Sequence, residues 1–308
     1  MSPPPSIAAR NLRRAMLLML GSTVMFGSMA VAIRLASTEL HTFEIAFFRT
    51  LFGLLFALPL LLRHGPGLLR TTRFSMYFAR CLVGIVSMMC GFWAIVHLPL
   101  AEAISISYAT PLFVTIGAVL VLGEVVRIRR WSAVLVGFVG VLLIVRPGGA
   151  SFSVHTLVAL AAAALSGCVA ISIKFLSRTE KPDAIVLYTS LLWVPMSLVP
   201  ALFVWTWPHG ITWLWVVLAG FFGTAGHLFW TRALKLGDAS LLTPITFVQV
   251  LVVGFYGWLL FGETVDRWTL LGAGIILASN YYIALREAKL ARRAVTDPEV
   301  GSESRLSG

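Results

Sequence analysis

Charge is what this sequence has least of. Of 308 residues only 12% are Asp, Glu, Lys or Arg, while 58% are hydrophobic; a soluble domain carries about 25% charged residues. Thirteen acidic and 24 basic side chains cannot give a domain of this size a hydrated skin, which excludes a soluble globular enzyme. Cysteine is scarce as well. Cys81, Cys90 and Cys168 fall inside apolar runs with no CxxC and no His at metal spacing, so they read as small packing residues and no metal site is expected. The chain has no GxxxxGK[ST] phosphate loop, no HExxH and no GxSxG. ATP hydrolysis by the chain itself and two common hydrolytic chemistries are thereby excluded, and neither an enzymatic activity nor a cofactor is expected.

What the chain does have is apolar length. A membrane-spanning helix needs about 20 mostly apolar residues, and ten such runs are present: 15–33, 43–62, 74–96, 100–122, 131–145, 154–173, 184–204, 211–231, 240–261 and 268–285. The first is as long as a full span and others follow, so it reads as a helix rather than a signal peptide. The fifth is short and is stopped by Arg146-Pro147-Gly148-Gly149. The net charge of +11 is gathered in clusters between spans, the pattern of orientation signals, and no nucleic-acid partner is expected. With the N-terminus inside, nineteen Lys and Arg residues face the cytoplasm against three outside (Arg34, Arg146 and Arg267), with Arg49 and Arg80 within spans. That bias predicts both termini in the cytoplasm.

Two stretches resemble each other. LPLAEAISISYATPLFVTIGAVLVLGE and LGDASLLTPITFVQVLVVGFYGWLLFGE each end in Gly-Glu (Gly123-Glu124, Gly262-Glu263), followed by a polar link, a Trp (Trp131, Trp268) and a glycine-bearing span. Five spans per half is an odd number, so the halves are expected in opposite orientations. The expected fold is therefore an all-α integral membrane protein of ten transmembrane helices in two inverted five-helix repeats. The divisions are an N-terminal tail over 1–14, repeats over 15–146 and 154–286, a linker over 147–153, and a C-terminal tail over 287–308.

In these features, together with Pro111 thirteen residues before Glu124, Arg49 in the second span, Arg80 in the third and the RPGG end of the first half, the sequence resembles the drug/metabolite transporter superfamily, and within it the proteins built of two EamA domains. The second half departs from the pattern, having Val250 where the first has Pro111 and carrying Pro244, Phe247 and Gln249 instead. The resemblance implies a multi-pass transporter of the cytoplasmic (bacterial inner) membrane. It would move a small organic metabolite, such as an amino acid, an amino-acid derivative or an opine-type metallophore, by alternating access, and export is the favoured direction. Uptake of an aromatic vitamin such as riboflavin is the second reading, and a channel or lipid scramblase the rival class. The expected partners are the solute, membrane lipids and protons, with the chain a monomer or homodimer.

An ionised group in a span costs about 2.5–3.5 kcal/mol on insertion scales and should face water or a partner. Arg49 is a candidate carboxylate contact, through its planar fork. His227 is a candidate for solute contact or proton coupling, and Glu44 and Glu102 are further coupling candidates near span ends. Pro111 removes a backbone donor in the fourth span. Around it the solute-binding set is completed by Trp93, Tyr108, Trp230, Phe247, Gln249, Asn280 and Tyr281, aromatic walls with a few polar groups. Helices three, four, eight and nine are expected to line the site. Arg80 is expected to snorkel, and Glu124 and Glu263 to be structural, pairing with Arg127 or Arg267.

Overall fold

The described residues of this computed structural model are 5–62, 71, 73–122, 128–147, 153–176, 182–236 and 239–296, and among them every regular element is a helix. In chain order these are α1 (Pro5–Ala36), α2 (Thr42–Leu62), α3 (Phe74–His97), α4 (Leu100–Ser107), α5 (Thr110–Leu122), α6 (Ile128–Val145), α7 (Val154–Leu176), α8 (Pro182–Leu202), α9 (Thr212–Leu236), α10 (Ala239–Thr246), α11 (Val248–Phe261) and α12 (Arg267–Thr296). Seven helical stretches are long and apolar enough to cross a bilayer, and two shorter apolar ones accompany them. The chain is a multi-pass α-helical membrane protein.

Twelve helices arise from ten apolar runs because two runs are broken. The fourth divides at Tyr108 and Ala109, the ninth at Phe247. Tyr108 and Phe247 stand at matching places, each sixteen residues before the Glu of its own Gly-Glu pair. In the first half Pro111 cannot donate to the carbonyl of Ser107, which accepts the Thr110 hydroxyl instead at 2.8 Å. In the second half Pro244 sits inside α10, three residues ahead of the break. Leu100 at the start of α4 meets Glu263 beyond the end of α11, and Tyr108 meets Thr246. The two broken runs therefore pass each other in opposite directions.

The helix contacts exchange when the halves are exchanged. α1 packs on α9 as α3 does on α7; α2 packs on α9 as α3 does on α8; α1 packs on α11 as α5 does on α7. α2 with α8 and α6 with α12 pair across the middle. At the α6–α12 seam backbones touch: a Cβ added to Gly140 would lie 2.7 Å from the Gly272 carbonyl oxygen, and one on Gly272 would lie 2.5 Å from that of Gly140. Only glycine permits that approach, the small-residue packing expected in lipid.

Three ion pairs lie at one end of the bundle, where α1, α3, α6, α8 and α11 finish. Arg34 at the end of α1 meets Glu263 at 3.0 Å, and Arg146 after α6 meets Asp266 at 2.7 Å. Glu39 holds His209 at 2.6 Å. Each pair joins the first half to the second.

Candidate functional site

Arg49 is the eighth residue of α2, deep in its span, yet half-buried rather than sealed. Its Nη1 has one polar neighbour, the Met88 sulfur at 3.6 Å, and no carboxylate within ion-pair distance among the described residues. Gly223 on α9 makes room for it, since a Cβ there would lie 3.1 Å from Nη2 and the same from the Met29 sulfur. One turn on, His227 is exposed and presents its ring edge-on to Phe26, with centroids 5.1 Å apart. The Arg49 guanidinium is within electrostatic range of that imidazole. Two of the ionisable groups singled out from sequence are thus neighbours, on α2 and α9, and among the described residues the guanidinium has no counter-charge. Desolvation makes that costly unless an anion or water reaches it.

A cavity of about 280 Å³ opens between α3, α4, α5, α7 and α8. Its polar lining is Ser87, Ser107, Thr110, Ser166 and Trp193; apart from Phe92 and Met88 the rest is small or aliphatic. Ser87 donates to the Ala162 carbonyl at 2.9 Å and so accepts from Ser166 at 2.8 Å, while Ser107 donates to Ile104 and Thr110 to Ser107. With their hydrogens spent, these hydroxyls offer lone pairs to the cavity. Met88 lines the same space, so one flexible thioether stands between the cavity and Arg49. None of the ten residues proposed from sequence as solute-binding lines this cavity. Helices three and four contribute as expected, but the other walls come from helices six and seven rather than eight and nine. The stripe Ala159, Ala162, Ala163 and Ser166 at helical spacing was the signal available for that wall.

Tyr108, Gln249 and Asn280 come together at the breaks. The Tyr108 hydroxyl donates to the Thr246 carbonyl and lies 3.5 Å from the Gln249 side-chain oxygen, and Asn280 Nδ2 donates to the Tyr108 carbonyl at 2.8 Å. Asn280 Oδ1 is buried and has no partner among the described residues. Phe247 packs on the main core beside them. Pro111 is exposed in the first turn of α5.

The remaining sequence candidates lie elsewhere. Trp93 is at the ion-paired end, donating to His155 Nδ1 at 3.0 Å and stacking on His97 at 4.0 Å. Trp230 packs with Met19, Ala233 and Leu242 in a separate cluster. Tyr281 is half-buried on α12, and its side chain makes no hydrogen bond among the described residues. Glu44 is fully buried with both oxygens engaged: Oε2 accepts from the His41 amide at 2.8 Å, Oε1 from the Thr206 amide and hydroxyl at 2.5 and 3.0 Å. It caps α2 and ties down the 203–211 loop. Glu102 is buried in the first turn of α4.

Two expectations are corrected. Glu263 pairs with Arg34 rather than Arg267, because the latter lies over the Trp268 ring at 5.6 Å; Glu124 and Arg127 lie outside the described residues. Arg80 does not snorkel outward: it is buried and donates to Thr189 on α8 at 2.5 Å.

Comparison with known proteins places this geometry. Residues 13–146 and 155–285 each match the model of the EamA-like transporter family. A riboflavin transporter of Brucella anthropi is 28% identical over 283 residues, covering 87% of this chain and 98% of the relative. The pseudopaline exporter of Pseudomonas aeruginosa is 29% identical over 287 residues, 90% and 98% of the two chains. A solved crystal structure superposes with a TM-score of 0.61 at 20% identity, covering 91% of this chain and 98% of its own, which shows a shared fold.

Proposed function

The chain belongs to the EamA-like transporter family, and on that footing we propose that it is a secondary active transporter that carries a small organic metabolite bearing a carboxylate across the cytoplasmic membrane. Residues 15–146 and 154–286 form two inverted five-helix halves, both termini are cytoplasmic, and the halves rock about a central site to expose it alternately to each side. The exchangeable helix contacts and the opposed broken runs support the inverted arrangement. Names of relatives that include a riboflavin transporter and a pseudopaline exporter support transport of a small organic metabolite; the carboxylate rests on Arg49 alone.

One observation carries the solute reading: Arg49, with no carboxylate partner among the described residues, lies beside His227, one thioether away from the cavity. A guanidinium kept in a span without a carboxylate is an incomplete ion pair, and an anionic solute completes it with bidentate hydrogen bonds. Inverted membrane vesicles loaded with, or bathed in, amino acids and opine-type metallophores, with and without a proton gradient, test it and read the direction. Wild-type flux of an anionic solute should fall at least tenfold in Arg49→Gln and drop in His227→Gln; undiminished flux in both variants sinks the assignment.

Riboflavin uptake is the second reading, favoured by the Brucella relative and by the uncharged cavity wall with Trp193. Riboflavin has no carboxylate. Its flux in the same vesicles should survive Arg49→Gln if the cavity alone binds it.

A further inference from the structure

Glu44 and Glu102 hold the same place in two helices, the third position of the first turn, and only one of them is satisfied. A Glu at that position ordinarily accepts from the backbone N–H of the residue that caps the helix. Glu44 does so, from His41. The residue capping α4 is Pro99, which has no N–H to give. The Leu100 amide that follows is taken by Glu263 Oε2 at 2.8 Å. Glu102 is consequently only 9% exposed with its Oε1 buried and without a hydrogen-bond partner among the described residues.

Its surroundings are charged. α4 packs against α3, α6, α7, α11 and α12. The titratable and charged groups these elements bring to this end are Arg146 just past α6, Glu263 just past α11 with its partner Arg34, Asp266 and Arg267 at the head of α12, His97 of α3 and His155 of α7. Of these, Arg146 and Asp266 interact electrostatically with Glu102. Arg146 is the one described non-glycine residue with positive φ, 44°, a left-handed backbone that costs of order 1 kcal/mol and is maintained while its guanidinium reaches Asp266. One guanidinium thus serves two carboxylates. Arg34 is committed to Glu263 and Arg267 lies over the Trp268 ring, so within the group of Arg146, Asp266 and Glu102 the carboxylates outnumber the guanidinium by one, and Glu102 is the more buried of the two. A proton removes that surplus charge and supplies the O–H donor that an uncharged carboxyl can aim at a neighbouring oxygen.

We propose that Glu102 is a proton-binding site that latches this end of the bundle: protonated, it lets the two halves close over the cavity, and ionised, it drives them apart to reach water. The ligand is the proton. Ala103, Ile104 and Ser107 of the same helix line the cavity, so movement of α4 bears directly on access to it. The inference rests on the alternating-access reading above.

The test needs no solute. The full chain, with Cys81, Cys90 and Cys168 replaced by Ala and Ser107→Cys as the reporter, is reconstituted in liposomes and labelled with a membrane-impermeant maleimide from the Arg34 side, its rate corrected for thiol ionisation with a free-thiol control. The corrected rate should be at least fivefold faster at pH 8.5 than at pH 5.5. Glu102→Gln, which resembles the protonated group in shape and charge, should label slowly at both values. Glu102→Ala should likewise lose the pH dependence, and Asp266→Asn, which leaves Arg146 to Glu102 alone, should move the transition to lower pH. A rate independent of pH with Glu102 present, or an unchanged pH dependence in Glu102→Gln, overturns the proposal. Solute flux alongside pH-independent labelling rejects the latch and leaves the carrier standing; pH-dependent labelling without flux of any solute does the reverse.

Discussion

The hydroxyl of Tyr108 donates to the backbone carbonyl of Thr246, so the break in one half is fastened to the break in the other. A helix end leaves carbonyls without partners, and here each half helps satisfy the other, with Asn280 closing the set on the Tyr108 carbonyl. Tyr108→Phe keeps the ring and removes the donor. The loss should lower stability by about 1 kcal/mol, the worth of one hydrogen bond, seen as a lower melting temperature in detergent, with binding of solute weakened because the breaks are no longer held in register.

Arg49→Gln should separate function from stability in the opposite sense. A desolvated charge without a counter-ion destabilises the fold, so its removal should leave the melting temperature unchanged or raise it while anionic solute flux collapses. A protein that melts several degrees lower would mean the guanidinium braces helices, and the site assignment would fall.

Much of this architecture is legible in the sequence because hydropathy and loop charge are local signals. Ten apolar runs and the doubled Gly-Glu pattern suffice to name helices and halves. The break at Tyr108 is foreshadowed by Pro111, but its counterpart at Phe247 is not, since Pro244 precedes the break rather than following it. The partners of charged residues are beyond such reading. Glu263 has Arg267 four residues away and nevertheless pairs with Arg34, more than two hundred residues distant; Arg267 lies over Trp268 instead. The cavity was missed for a related reason: its walls are small residues and serines, which carry little individual signal.

The Arg34–Glu263 pair is half-buried, 18% and 17% exposed at the side chains, and Arg34 also donates to the Ile95 carbonyl at 2.6 Å and to that of Leu98. Arg34→Gln should therefore cost roughly 1–3 kcal/mol and speed labelling of a cavity cysteine from that side. The exchanged pair Arg34→Glu with Glu263→Arg should recover part of the loss, although the carbonyl contacts would not return. A double-mutant cycle on melting temperature measures the coupling.

Glu39 makes a pH prediction at the surface. Hydrogen bonds from Thr212 first and His209 second hold its carboxyl below the ordinary Glu value of 4.5. A depressed folded-state value means that the attachment of the 203–211 loop is fully present above the ordinary range and is lost as pH falls through the folded value. Proteolysis within that loop by an acid-active protease should rise between pH 5 and pH 3 relative to a distant control site, and Glu39→Gln should remove the change.

Gly140→Ala should be destabilising by about 1–3 kcal/mol, the usual cost of overpacking, because its methyl would strike the Gly272 carbonyl at 2.7 Å. Expression and thermal unfolding report it, and alanine at both positions should be worse than either alone.

That glycine contact has a mechanical corollary. Two helices with their backbones in contact have no side-chain cushion to slide on, and parting them would forfeit dense dispersion contact that lipid tails cannot replace at the same spacing. On the alternating-access reading, α6 and α12 would therefore move as one unit. The swing that reading requires would then fall to helices packed elsewhere, among them α2 and α9, which carry Arg49 and His227.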